Sequence, residues 1–264
     1  MQIRAHNFSL KAGAGSPAGE RSGRAFTLIE LLVVIAIIGL VAGLTMPHIR
    51  GLRSGDTMVA ASRQMIDDFG LARLRAINER SRIFVVFLPL MSQAPEQVSG
   101  QLMVTYTNYF MTNQLANDLI AAQCRSYAFF SLRSVGDQPG EVQPRYLTEW
   151  KQLPERSFIP PTAFTNTNIF RLDVSFPFPD ENGTLSFYLP CVEINSLGQI
   201  ANNNQDVRLP LGEGQAVVPG RGTGLYDVRD ADIEEKPPGN SVSNNIIVLN
   251  WLTGRGKVER LEVP

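Results

Sequence analysis

The sequence predicts an α+β chain, in which a long N-terminal hydrophobic helix packs on an antiparallel β-sheet. Three observations lead there. A small or apolar run extends without interruption from Leu31 to Leu44. Apolar residues then return at helical spacing from Met58 to Ala76. Runs rich in β-branched and aromatic residues, separated by turn-forming residues, occupy most of the remainder.

Composition sets the frame. Apolar residues make up 44% and charged residues 19%, which suits a folded body rather than a disordered chain. The net charge of −1 provides no basic excess for a nucleic-acid partner. Both histidines, His6 and His48, lie early, which weighs against a histidine-based hydrolase or metal centre.

Residues 1–25 are polar and carry Arg4, Lys11, Arg21 and Arg24 against the single acid Glu20. At Phe26 the character changes abruptly to Phe-Thr-Leu-Ile-Glu and the apolar run. As a helix, Phe26 to Met46 would span about 31 Å, the hydrocarbon thickness of a bilayer. The basic flank is expected to stay cytoplasmic, although Arg50 and Arg53 on the far side reduce the asymmetry.

Glu30 is the odd residue, because a carboxylate in an apolar membrane helix costs about 2.5–3.5 kcal/mol at mid-bilayer. A plain anchor has no use for it. If the chain is cut before Phe26, the new ammonium lies one helical turn away and offsets the charge. Between copies the same pair would fix axial register, since every wrong stagger buries an uncompensated charge.

The segment Phe26-Thr-Leu-Ile-Glu-Leu-Leu-Val-Val-Ile-Ala-Ile-Ile-Gly-Leu40 resembles the processing motif of type IV prepilins and type II secretion pseudopilins. The resemblance implies a leader over 1–25, cleavage between Ala25 and Phe26 by prepilin peptidase, and N-methylation of Phe26. It also implies an assembly role for Glu30 as the fifth residue of the mature chain, and a helix-kinking role for Pro47. Residues 26–47 would form the transmembrane and assembly helix, and 48–264 an amphipathic helix plus a β-rich extracytoplasmic domain. The family usually has Gly before the cut, where this chain has Ala25; cutting after Gly23 would make Glu30 the seventh residue. Localisation follows as a single pass of a bacterial inner membrane with the N-terminus cytoplasmic, then incorporation into a pilus or pseudopilus. Expected partners are prepilin peptidase, other pilins or pseudopilins, and an inner-membrane assembly platform.

Beyond Pro47, Gly51 to Gly55 reads as a soft joint. A helix then continues to about Arg80, with Met58, Ser62, Met65, Phe69, Ala72 and Ala76 facing a sheet and Val59 and Ile66 widening the stripe. Leu71 and Leu74 point away from it. Strands are expected at Arg82–Leu88, Gln101–Tyr106, Ser126–Leu132, Phe170–Phe176, Thr184–Ile194 and Asn245–Trp251, the last pairing with Lys257–Val263 across Thr253–Gly256. Glu181-Asn-Gly183 marks another tight turn, and Gln138–Pro144 and Gly212–Gly224 read as loop-forming joints. Residues 203 to 243 read as largely irregular.

The stretch Asp68–Asn78 with the strand after it resembles minor pseudopilins of the H type. Together with Trp150-Lys-Gln-Leu-Pro154 and Leu252-Thr-Gly-Arg255 it is also similar to the pilin-like protein D of the Verru/Chthon cassette. The function this implies is a non-enzymatic structural subunit, a minor one by the size of its body. A membrane-anchored extracytoplasmic enzyme or a pilus-displayed adhesin shares the same N-terminal segment. No nucleophile–base pair or cofactor motif stands out. The acids Asp227, Asp230 and Asp232, with Glu234 and Glu235, are dense enough to hold calcium, though without an EF-hand spacing. Cys124 and Cys191 would lie where disulfides persist, so either a bridge across the sheet or two separate buried thiols fits.

Overall fold

A computed structural model describes residues 27–93, 110–111, 113–133, 144–165, 169–175, 186–222, 224–236 and 245–260, with the side chains at 42–56, 173, 175 and 186 set aside. The fold is α+β, an N-terminal helix followed by antiparallel sheets. By contacts the chain divides into two units, Met1–Ile49 and Arg50–Pro264.

Helix α1 covers Leu28–Glu79, and its assignment runs unbroken through Pro47 and Gly51 to Gly55. The soft joint expected there therefore does not interrupt the helix. The helix ends because Arg80 turns left-handed at φ 48°. That lets the Ser81 and Arg80 N–H groups donate back to the Ala76 and Ile77 carbonyls at 3.2 and 3.4 Å, a Schellman closure.

Within the larger unit, the expected stripe of α1 is buried: Met58, Ser62, Met65, Phe69, Ala72 and Ala76, joined by Ala61. Small Ala72 and Ala76 let the helix approach, and Phe69 fills the space against Phe87, with ring centroids 6.5 Å apart. Leu71 and Leu74 remain exposed.

Six strands form the first sheet: β1 (Ile83–Phe87), β2 (Ser126–Ser131), β3 (Arg145–Tyr146), β4 (Lys151–Gln152), β6 (Phe170–Ser175) and β7 (Ser186–Ile194). The order is β3-β2-β1-β7-β6, with β4 also on β2 and every pairing antiparallel. Strand β1 is buried throughout because both faces of the sheet are covered. Ile83, Val85 and Phe87 join α1 in one core, whereas Phe84, Val86 and Leu88 enter a second core with Phe110, Phe130 and Leu189. The second core is roofed partly by helix α2 (Gln114–Ile120), which Asn113 caps by accepting the Ala116 N–H at 3.2 Å.

The remaining strands, β5 (Ser157–Phe158), β8 (Val207–Val217), β9 (Asp232–Glu235), β10 (Asn245–Leu249) and β11 (Gly256–Glu259), form a second sheet ordered β11-β10-β8-β5 with β9 on β8. A short helix α3 (Pro161–Phe164) follows β5. The predicted hairpin is present, Leu249 pairing with Gly256 across Asn250–Arg255.

A further expectation is overturned. Residues 203 to 243 include the longest strand of the fold, β8, as well as β9, and the joint placed at Gly212–Gly224 begins inside β8. Val207, Leu209 and Leu211 are buried in alternation with exposed Arg208, a period-two pattern obscured by Pro210, Gly212 and Gly214. These glycines are packing devices. A Cβ on Gly212 would lie 2.6 Å from the Phe158 ring, and one on Gly214 would lie 2.0 Å from the Glu234 carbonyl oxygen. The strand expected at Gln101–Tyr106, the turn at Glu181–Gly183 and most of the Gln138–Pro144 joint lie outside the described residues.

Candidate processing and assembly site

The N-terminal arm begins with a cap. Thr27 precedes the first helical residue, and its Oγ1 accepts the Glu30 backbone N–H at 3.3 Å while its carbonyl accepts the same N–H at 3.1 Å and that of Leu31 at 3.2 Å. Thr27-Leu-Ile-Glu30 thus has the spacing of a capping box, with Glu30 at the third helical position. A carboxylate there also favours the positive end of the helix dipole. The charge of Glu30 dominates the sequence pattern here, yet a Thr three residues before a Glu is also the signal of a capped helix start.

From Leu28 to Val41 every residue is exposed, the large apolar side chains ranging from 43% at Val34 to 81% at Leu28. Glu30 is the single ionisable group of this stretch. Leu28–Val41 spans about 21 Å, short of the roughly 30 Å of a hydrocarbon core. Among the described residues no helix is long and apolar enough to cross a membrane. The span expected over 26–47 extends past the described side chains at both ends, and the cleavage pair Ala25 and Phe26 lies outside the described residues.

Residues 21–46 match the protein-family model of the prokaryotic N-terminal methylation motif. The motif supports a type IV pilin- or pseudopilin-like protein, anchored in a membrane, processed by a prepilin peptidase and assembled with other pilins. It points to a structural subunit rather than an enzyme. No curated protein and no solved structure matches the chain.

The other candidate residues are dispersed. Cys124 and Cys191 are both free and buried, so the bridge weighed from the sequence is not formed. The reason is topological: Cys124 belongs to the core under α1, whereas Cys191, opposite Val86 on β1, faces the second core. Burial raises both thiols to about 12, helped by the charge of Asp230 at Cys124 and of Glu193 at Cys191.

Asp227, Asp230 and Asp232 each serve a separate contact. Asp227 pairs with Arg221, Asp230 accepts the Ser92 N–H at 2.7 Å, and Asp232 meets Arg229 at 3.4 Å. Among the described residues no three His, Cys, Asp or Glu side chains gather as metal ligands. The loop carrying the acids is held by amides instead. Asn117 donates to the Tyr226 carbonyl at 3.1 Å and accepts its N–H at 2.7 Å, and Gln123 donates to the Arg229 carbonyl at 2.8 Å.

A polar cluster not foreseen from the sequence ties α1 to the first sheet. The Tyr127 hydroxyl donates to Asp68 at 2.5 Å, Lys151 pairs with the other oxygen of Asp68 at 2.5 Å, and Gln64 donates to Tyr127 at 2.9 Å. Burial and the neighbouring Asp68 push the Tyr127 hydroxyl above its usual range.

Proposed function

We propose that the chain is a structural subunit, a minor pseudopilin, of a type II secretion pseudopilus or a type IV pilus-like filament. The observation that carries this reading is an exposed apolar arm with one carboxylate one turn from its start, inside a matched methylation motif. Prepilin peptidase removes residues 1–25 by cutting between Ala25 and Phe26, and the Phe26 amine is methylated. The precursor sits in the inner membrane through 26–47, leader inside and body outside, with Pro47 bending the helix. On assembly the arm moves from lipid into a bundle of like helices, where apolar packing holds it and the Phe26 amine meets the Glu30 carboxylate. Heterologous, non-closing contacts between the filament's subunits then give an open filament rather than a closed ring. The resemblance to H-type pseudopilins and to the cassette protein D supports a minor place.

N-terminal sequencing of membrane-extracted protein, from cells with and without active prepilin peptidase, tests the reading. A mature chain starting at Phe26 is expected only with the active enzyme. Any other start, or the same start without the enzyme, refutes it.

A further inference from the structure

An open groove of about 370 Å³ lies on the body, lined by Leu115, Asp118 and Leu119 of α2 and by Glu149, Trp150 and Gln152 at β4. Both walls are tied down. Asn117 fixes α2 by donating to the Tyr226 carbonyl at 3.1 Å and accepting the Tyr226 N–H at 2.7 Å. On the other wall, Gln64 of α1 donates to the Gln152 carbonyl at 2.9 Å. Trp150 packs on Tyr146 and Tyr146 on Phe130, with ring centroids 5.6 and 5.2 Å apart. Walls already ordered lose little entropy when the groove is filled.

The lining is apolar and acidic on one side only of the charge scale. Leu115 stands 62% exposed although Ala116, Leu119 and Ile120 of the same helix are buried, so the second core does not account for it. Asp118 and Glu149 contribute carboxylates, and no lining residue contributes a cation. Lys151, between two lining residues, is already engaged, its ammonium 2.5 Å from Asp68 and 5.1 Å from the Phe129 ring centre. Asp118 accepts from the neutral Gln114 at 2.9 Å, and neither acid has a cationic partner among the described residues. An indole and two leucines beside two unneutralised carboxylates complement a guanidinium with an aliphatic neighbour. The guanidinium stacks on the ring and forks to the acids, while the aliphatic chain covers Leu115.

The chain's own segments outside the described residues do not supply that group. From residue 94 onward these segments, 94–109, 134–143, 166–168, 176–185, 237–244 and 261–264, contain no Lys or Arg. The leader contains both, but in the filament reading it is cut away on the cytoplasmic side. In that reading the chain is also a minor subunit, so the bodies beside it belong to other pilins.

We infer that the groove between α2 and β4 receives an arginine with an adjacent aliphatic residue from a different pilin-like subunit of the same filament. This rests on the filament reading and gives it a body-to-body contact. Trp150 is the anchor, and Asp118 and Glu149 select the partner by charge.

The test uses the tagged full-length chain in the cells that produce it, with Leu115 replaced by the photoreactive p-benzoylphenylalanine. Irradiation should give one crosslinked species. Mass spectrometry of its joined peptides should show a different protein that carries its own N-terminal methylation motif, linked through a stretch with an arginine beside an aliphatic residue. Asp118→Arg with Glu149→Arg should lower the yield about tenfold or more. Changing the partner's linked arginine to glutamate should then restore it, a rescue that a misfolded groove would not show. No crosslink, a crosslink to a second copy of this chain or to a protein without the motif, a joined stretch without arginine, indifference to charge reversal, or failure of the rescue overturns the inference. N-terminal sequencing of the same samples reads processing separately. A chain that starts at Phe26 but fails these tests loses the groove contact alone, whereas any other start refutes the filament reading itself.

Discussion

At Gly214 the backbone of β8 passes so close to Glu234 on β9 that no side chain fits, and its φ of 153° is one that other residues rarely adopt. Gly214→Ala should therefore lower stability by about 1–3 kcal/mol, read from denaturant midpoints, and free β9 to exchange amide hydrogens. The same change at Gly222, where a Cβ would meet nothing, costs only the strain of its left-handed φ of 76°. At Glu30 the residue scale separates two roles. The Thr27 hydroxyl caps the helix by accepting the Glu30 backbone N–H, a bond that Glu30→Gln leaves in place while removing the side-chain charge. Glu30→Gln should leave the chain cleaved but poorly incorporated, measured as the ratio of sheared filament protein to membrane protein. Normal incorporation would show that the cap, not the charge, is what the site needs. The buried thiols give a third expectation, with a definite sign. Their pKa is raised from 9.0 to about 12, so the native state holds protons that the unfolded chain releases first. The stability linked to them is whole below 9.0 and is lost as pH rises through about 12. Cys124→Ala with Cys191→Ala should flatten the alkaline part of the unfolding profile.

Helix α1 was legible over its body half because one face packs on a sheet and the other meets water, so burial follows a regular spacing. Each of Met58, Ser62, Met65, Phe69, Ala72 and Ala76 is inside, and Leu71 and Leu74 outside. Phe69→Ala should cost about 3–5 kcal/mol in denaturant unfolding, and Leu74→Ala no more than about 0.5 kcal/mol. Strands β1, β2, β6, β7 and β10 were legible for a related reason, as runs whose buried side chains are nearly all apolar. Strand β8 was not, since Pro210, Gly212 and Gly214 signal turns locally and only the ring of Phe158 and the backbone of β9 explain them. The candidate site divides along the same line. Glu30 stood out because its chemistry is local, whereas the Asp68–Tyr127–Lys151 cluster and the acid-rimmed groove join residues far apart in sequence, whose meeting no spacing reveals.

For the molecule as a whole, the first sheet separates two apolar cores and thereby the two cysteines. No covalent tie joins the layers, so reductant should leave the melting temperature and electrophoretic mobility unchanged. A downward shift would mean that the thiols pair after all. The two units also differ in what they require of their surroundings. The body hides most of its apolar side chains, while the arm turns outward every one described, from Leu28 to Val41. A rod with no wettable side has no resting state in plain water, so the moments between synthesis, delivery and polymerisation must each supply it with an oily neighbour. Purification without detergent should accordingly select for clumped material, and trimming the rod away should yield a well-behaved particle whose failure to polymerise says nothing about its folding.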